Sequence, residues 1–504
     1  MIPALEPLDE NNQRLMDAVH PSDWQNPEPQ KRYNMVVIGG GTAGLVTAAI
    51  SAGLGAKTAL VEKELLGGDC LNVGCVPSKA LIRSSQLAAL VQRAAEFGIH
   101  STGETKVNFE EIMSRMRRIR ADISPHDSAE RFSGLGIDLF LGQGKFLSQD
   151  EISVGDATLK FKRACIATGA KARVPSIPGL ESSEFLTNET VFSLTQLPAK
   201  IAVIGGGPIG CELAQCFRRF GSEVFIFERS SSILSREDSD AATVVENSLV
   251  RDGITLVKNA SITQVSSQSK TRTIRFSNPQ GNDQSLEVTD ILVATGRQPN
   301  TSGLGLENAG IKFEDQGIVT DDHLRTTNSR VFAAGDVTPQ VKFTHAADFM
   351  ARAVIQNAFF PWPKKKISRL VIPRATYASP ELAQVGWTES ELVETGQLDN
   401  HDVYRLEFAD NDRAILDGQE SGFVKVITRK GKDKVVGATV VGAKASELIG
   451  YFSLAMTHNM GLGKLGATIF PYPTHAEIVR KFGDLFNKSR FTPLKKSILR
   501  KWFG

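Results

Sequence analysis

Two cysteines and a lysine form the most reactive grouping in the chain. Cys70 and Cys75 sit five residues apart, and Lys79 follows, within Gly67-Gly68-Asp69-Cys70-Leu71-Asn72-Val73-Gly74-Cys75-Val76-Pro77-Ser78-Lys79. Along a regular helix five residues rise about 7.5 Å, too far for a disulfide. Asn72 and Gly74 allow a distorted first turn that brings the sulfurs together. Thiols at a helix start lie near positive backbone dipoles, which favour thiolate. The pair therefore reads as a redox-active disulfide; a structural disulfide, or two unrelated core cysteines, is the blander alternative. The remaining cysteines are 165, 211 and 216. Cys165 lies in an apolar strand and reads as a core residue. Cys211 and Cys216 repeat the five-residue spacing with no glycine between them, so they read as packing residues on a helix.

The elements around this segment read as a repeated unit. Met35-Val36-Val37-Ile38 is a buried strand, Gly39-Gly40-Gly41-Thr42-Ala43-Gly44 a loop opening a helix to about Gly53, and Thr58-Ala59-Leu60-Val61-Glu62 the next strand. This is a dinucleotide fingerprint: Gly39 for the tight turn, Gly41 for approach of the pyrophosphate, Gly44 for close helix–strand packing. Glu62 closes the second strand, where a carboxylate can accept a ribose hydroxyl. The pattern returns as Ile201–Ile204, Gly205-Gly206-Gly207-Pro208-Ile209-Gly210, and Val224–Glu228. Glu62 lies 23 residues after Gly39, and Glu228 lies 23 residues after Gly205. Each copy ends in Ala-Thr-Gly, at 167–169 and 294–296. The repeat implies two dinucleotide sites.

Length and composition bound the rest. At 504 residues, about two to four domains are expected. A chain 41% hydrophobic and 23% charged fits a soluble globular protein. The net charge of +2 gives no argument for nucleic acid or membrane as main partner. Five cysteines are too few for a secreted disulfide scaffold and fit a reducing, cytoplasmic setting. No apolar run is long enough to span a membrane. Residues 1–33 lack the pattern of a signal peptide and read as an extension lying on the surface.

From about Asn34 to Phe482 the chain resembles the flavoprotein disulfide reductases, the class I pyridine nucleotide-disulfide oxidoreductases that include dihydrolipoamide dehydrogenase, glutathione reductase and mercuric reductase. The segment Gly67–Lys79 and the double fingerprint carry the likeness. The resemblance implies an α/β fold: two Rossmann-like dinucleotide-binding domains, FAD first and NAD(P) second, plus a C-terminal α+β dimerisation domain. The expected domains are an N-terminal extension (1–33), an FAD-binding part (34–195), an NAD(P)-binding domain (196–299), an FAD return segment (300–365), an interface domain (366–482) and a basic tail (483–504). It implies a homodimer in which hydride passes from NAD(P)H to FAD, and reduced flavin then opens Cys70–Cys75. Cys75 faces the flavin, Cys70 meets the acceptor, and Lys79, ion-paired to Glu212, supports reduced flavin and the thiolate. Flavin-side contacts fall on Gly39, Gly41, Gly44, Glu62, Lys79, Gly144, Thr168, Gly169, Asp336 and Thr344, the last at a helix start whose dipole favours negative charge on reduced flavin. Nicotinamide-side contacts fall on Gly205, Gly207, Gly210, Glu228, Arg229 and Gly296. His345 is expected to pack or cap.

The sequence departs in two places from the families that it resembles. In Tyr472-Pro473-Thr474-His475-Ala476-Glu477, dihydrolipoamide dehydrogenase and glutathione reductase carry a histidine where Tyr472 stands. That histidine is the partner-supplied acid–base for thiol exchange, and a phenol of pKa ~10 replaces it poorly. Mercuric reductases have a tyrosine there, so Tyr472 favours a metal ion or other non-disulfide acceptor; by resemblance Tyr472 and Glu477 come from the partner subunit. His475 is the substitute relay if a disulfide is the substrate. Mercuric reductases also carry a C-terminal cysteine pair, and this chain has no cysteine after 216. Glu228 suits the free ribose of NADH, whereas Arg229 and Arg236 could attract the phosphate of NADPH. The alternatives are a dihydrolipoamide dehydrogenase or other disulfide reductase, and a flavin-based redox sensor with little turnover. The basic tail from Lys488 reads as a docked or frayed helix, with contact to a membrane surface or partner as the other reading.

Overall fold

Short apolar runs without polar alternation are satisfied in strands covered on both faces. In the computed structural model, which describes residues 5–100, 106–277, 281–340 and 342–503, these runs build parallel sheets. The strands β1 (Tyr33–Ile38), β2 (Thr58–Glu62), β3 (Ile137–Leu141), β4 (Gly144–Phe146), β5 (Glu151–Val154) and β6 (Ala157–Ile166) join one sheet in the order β3-β2-β1-β6-β5-β4. β3, β2, β1 and the end of β6 are parallel, and Val331–Ala333 returns to pair with β6 on the same hand. β4 and β5 extend the sheet antiparallel.

The second copy repeats this order with Thr255–Lys258, Glu223–Glu228, Lys200–Ile204 and Asp290–Val293, all parallel. A three-stranded antiparallel sheet, from Ser261 to Val288, covers one side of it. The repeat seen in sequence is thus a repeat of topology. The units are joined where each Ala-Thr-Gly ends. Ala170–Ala172 pairs antiparallel with Arg297–Pro299, Thr168 Oγ1 donates to Asn300 O at 2.8 Å, and Arg173 N donates to Gly296 O at 3.0 Å. After Arg369 comes a five-stranded antiparallel sheet built from Arg374 to Gly442, backed by helices Ala445–Thr457 and Glu477–Ser489.

The N-terminal segment differs from expectation. It is not a surface extension: it folds as α1 (Glu10–Val19), whose Leu15 and Val19 are fully buried in the core of the first unit. The chain then runs along the open edge of β3. Trp24 Nε1 donates to Leu139 O at 3.2 Å, and Asn26 exchanges bonds of 3.0 and 2.8 Å with the backbone of Leu141. Met1–Ala4 of that segment, and Gly504 of the tail, lie outside the described residues.

β1 leads through its loop into α2 (Thr42–Gly53), and β2 into the short α3 (Gly68–Asn72) and the long α4 (Cys75–Gln92). α5 (Phe109–Ile123) breaks at Pro125 into a single tight turn and a short helix, as the proline requires. Cys165 is fully buried on β6, and burial pushes its thiol up to about 12. Cys211 and Cys216 are buried on helix Pro208–Phe220, donating to Gly206 O and Ser85 Oγ. All three pack, as expected.

If α1 is part of the core, Leu15→Ala costs about 2–5 kcal/mol. The urea midpoint should fall clearly, while Leu8→Ala, at an exposed position, leaves it in place. An unchanged midpoint for Leu15→Ala would return the segment to the surface.

Candidate active site

Cys70 and Cys75 do not share one distorted turn. Cys70 lies in α3, which ends at Asn72; Val73 and Gly74 reset the chain, and Cys75 is the first residue of α4. Gly74 is required by close approach, since a Cβ there would lie 2.7 Å from Asp69 O. The sulfurs are two thiols that hydrogen-bond to each other. This is the reduced member of the pair. The bond from Cys70 does most to lower the Cys75 pKa to about 6; burial opposes it, while Thr344 and Lys79 assist. Cys70 is pushed far upward by the same bond, by burial and by the charge on Cys75. Thr344 Oγ1 stands 3.3 Å from Cys75 Sγ, so its hydroxyl can donate to the thiolate. Thr344 begins a 16-residue helix, and both helix starts therefore direct their positive ends toward this sulfur.

Lys79, one turn along α4 from Cys75, donates to Glu212 Oε2 at 2.9 Å. Glu212 is buried on helix Pro208–Phe220, and its other oxygen accepts Tyr377 N at 2.9 Å. The Lys79 ammonium also lies 4.4 Å over the Tyr377 ring. Burial works against this ammonium, but Glu212, Cys75 and Tyr377 outweigh it and its pKa rises.

Around Cys70 the backbone is clamped from three sides. Arg297 pairs with Asp69 and donates to Asn188 Oδ1 at 3.0 Å; Asn188 donates to Val73 O at 3.3 Å. Arg120 donates to Asn72 O and to Asn12 Oδ1 of α1, both at 2.6 Å, while Arg117 pairs with Asp9 at 2.5 Å. Sequence reasoning missed Arg120, Asn188 and Arg297, which are isolated residues with no spacing signal. Tyr377 likewise belongs to no motif that spacing would reveal.

Both glycine loops are braced alike. Gly40 N donates to Glu62, and Gly206 N donates to Glu228 at 2.8 Å; Glu64 N and Ser230 N hold the second oxygens at 2.6 and 2.8 Å. The carboxylates expected at ribose are thus also loop braces. Gly144 lies in β4 with Ile38 and Val61 against it. Asp336 sits in the turn after Val331–Ala333; burial raises its pKa against the pull of Arg297 and Lys342. His345 Nε2 is 2.6 Å from Pro373 O and the ring stacks on Phe343, a packing role.

Tyr472 and Glu477 are not brought to the thiols of their own chain. Tyr472 is 70% exposed and donates to Asp412 Oδ2 at 2.8 Å, which raises its pKa. Glu477 begins a helix beside Arg480. His475 is buried against Phe408, its Nε2 without a partner among the described residues, and burial lowers its pKa. Arg229 is exposed just past the strand that Glu228 closes.

Residues 33–351 match the family described as pyridine nucleotide-disulphide oxidoreductase, and 372–482 match its dimerisation domain. The chain belongs to this family. It is 33% identical to a mercuric reductase of Bacillus cereus, over 90% of this chain and 71% of that one. It is 34% identical to a dihydrolipoyl dehydrogenase of Bacillus subtilis, over 89% and 95%. The structure of the HOCl-induced flavoprotein disulfide reductase RclA from Escherichia coli aligns with TM-score 0.78 and 28% identity, covering 90% of this chain and 99% of that one. This pyridine nucleotide-disulphide oxidoreductase is an NAD(P)H-dependent flavoprotein enzyme.

The family implies FAD and a nicotinamide nucleotide, and the two loops fit such groups. A Cβ at Gly207 would meet nothing within 4 Å, and one at Gly41 only Gly68 Cα at 3.7 Å, so the backbone is bare where a diphosphate must approach. At Gly44 and Gly210 the space is closed instead, by Gly39 O and Gly205 O, which fixes helix to strand.

The depressed Cys75 pKa means thiolate above about pH 6 and thiol below it. Thiolate ultraviolet absorbance of the dithiol protein should rise with that midpoint and vanish in Cys75→Ser. Lys79→Met removes a stabilising charge and moves the midpoint up; Glu212→Gln removes a repelling one and moves it down. Shifts of the same sign in both variants would refute this electrostatic account.

Proposed function

We propose that this enzyme passes electrons from NAD(P)H through the Cys70–Cys75 pair to a metal ion or another small acceptor that needs no proton relay. The observation that carries the reading is Tyr472: its proton is held by Asp412 and its pKa is raised, so it is a poor acid–base for thiol exchange. His475, the substitute relay, is buried against Phe408. Mercuric reductases are among the relatives, and a Cu(II) complex of RclA is among the similar structures, at TM-score 0.79.

In this reading FAD, when bound, supplies two-electron transfer between the nicotinamide and the sulfur pair. The Gly39–Gly44 loop and the start of α2 would hold its diphosphate, and Glu62, Gly144, Thr168, Gly169, Asp336 and Thr344 would hold the rest. The second loop, with Glu228, Arg229 and Gly296, holds the nicotinamide nucleotide. Lys79 and Thr344 stabilise negative charge at Cys75. Cys70, kept protonated, releases its proton to solvent as its sulfur engages the acceptor. The dithiol yields two electrons, the S–S bond forms, and the acceptor is reduced by that pair. The enzyme works as a cytoplasmic homodimer, with Tyr472 and Glu477 serving the neighbouring subunit's thiols. Glu228 favours the free 2′-hydroxyl of NADH over a 2′-phosphate.

The test is anaerobic NADH and NADPH oxidation with Hg(II) in excess small thiol, then with lipoamide and glutathione disulfide. Turnover is expected with Hg(II), and Cys70→Ser should lower it about a hundredfold or more. Rapid turnover with a disulfide alone would place the enzyme with the dihydrolipoyl dehydrogenases. In the same assay kcat/KM should be higher for NADH; a higher value for NADPH would assign Arg229 the deciding role.

A further inference from the structure

The family match ends at residue 482. Helix Glu477–Ser489 continues past it and docks through Phe482 and Phe486, which are buried. Beyond it the chain forms an eleven-residue helix, Pro493–Phe503. Its start is locally encoded: Thr492 O accepts Lys496 N at 3.0 Å, and Pro493 takes the first position, where a missing N–H does no harm. Among the described residues little covers this helix, and only Leu499 is half-buried. Ile498 is 57% exposed, Trp502 82% and Phe503 81%. An isolated helix this short is marginal in water.

The side chains are sorted by face. Ile498 and Trp502 are four apart, as are Leu499 and Phe503, so the four share one side of the helix. Lys496, Arg500 and Lys501 lie outside this stripe, whereas Lys495 falls within it, on the same side as Ile498 and Leu499. The helix has four cations and no carboxylate, and none of the four makes an ion pair with a described residue. A Trp- and Phe-bearing apolar stripe beside an unpaired cationic face is the composition of a helix lying in a bilayer interface. Anionic headgroups attract the cations, and the indole sits at headgroup depth. A nucleic acid would match the charges and leave Trp502 and Phe503 in water. At about 16 Å the helix is too short to cross a ~30 Å hydrocarbon core, so it would lie in the plane.

We propose that helix Pro493–Phe503 docks this enzyme on an anionic phospholipid bilayer, with Trp502 and Phe503 inserted and Lys496, Arg500 and Lys501 on the headgroups. The site is separate from the thiols, so it stands whichever acceptor the enzyme uses.

The experiment is co-sedimentation of the FAD-loaded enzyme with vesicles of phosphatidylcholine alone or mixed equally with phosphatidylglycerol. Binding is expected on the mixed vesicles only, weakening as salt rises. Trp502→Ala/Phe503→Ala should lower the partition constant about tenfold or more, and Lys496→Glu/Arg500→Glu/Lys501→Glu should abolish binding, with NADH oxidation unchanged in both. A chain ending at Arg490 should not bind. Equal binding by that chain, equal binding to phosphatidylcholine alone, or no binding at all would overturn the proposal. So would dissociation of the enzyme into monomers on removing the helix, which would show a second copy covering it. Retention of duplex DNA that survives Trp502→Ala/Phe503→Ala would give the cationic face to nucleic acid instead.

Discussion

One buried carboxylate holds the active site together. Glu212 belongs to the second dinucleotide unit, yet one oxygen takes the Lys79 ammonium of the first unit and the other takes the Tyr377 backbone of the C-terminal sheet region. A carboxylate buried without partners would be strongly unfavourable, and removing either partner leaves that penalty exposed. The three parts must therefore meet in one arrangement for Glu212 to be satisfied. Conformational specificity, more than net stability, is what such a pair supplies here. It also places a fixed positive charge one turn from Cys75.

The two thiols share a backbone segment but are driven to opposite protonation states. Cys75 has a helix start, a hydroxyl, an ammonium and the other thiol's proton directed at it. Cys70 has that same hydrogen bond acting in reverse, together with burial. The asymmetry survives only while the separation of α3 and α4 is fixed, and that separation contains Val73 and Gly74, which make no helix of their own. Arg120, Asn188 and Arg297 hold its carbonyls and the Asp69 carboxylate from outside.

What the sequence revealed follows from the range of each constraint. The glycine loops, the acids 23 residues on and the start of α4 are local demands of backbone sterics and helix termini, so they were legible. The Lys79–Glu212 pair was legible only through family likeness. Arg120, Asn188 and Arg297 act across 48, 115 and more than two hundred residues, and no local pattern marks them. The N-terminal segment was misread because its prolines and charges masked Leu15 and Val19, a four-residue spacing that is one stripe of a helix. The cysteine spacing marked the redox pair, which stands here as its reduced, dithiol form.

The path of residues 24–26 along β3 has a consequence for the protein in a crowded solution. An open parallel sheet ends in a row of unpaired backbone groups that can template pairing with another chain. Here Trp24 and Asn26 occupy the carbonyls of Leu139 and Leu141, and Asn26 also takes the Leu141 amide, without adding a strand that would itself need capping. Side chains rather than backbone close the ladder, so the sheet stops at β3. The segment whose sequence reads as a surface extension is, in colloidal terms, a guard against edge-to-edge aggregation.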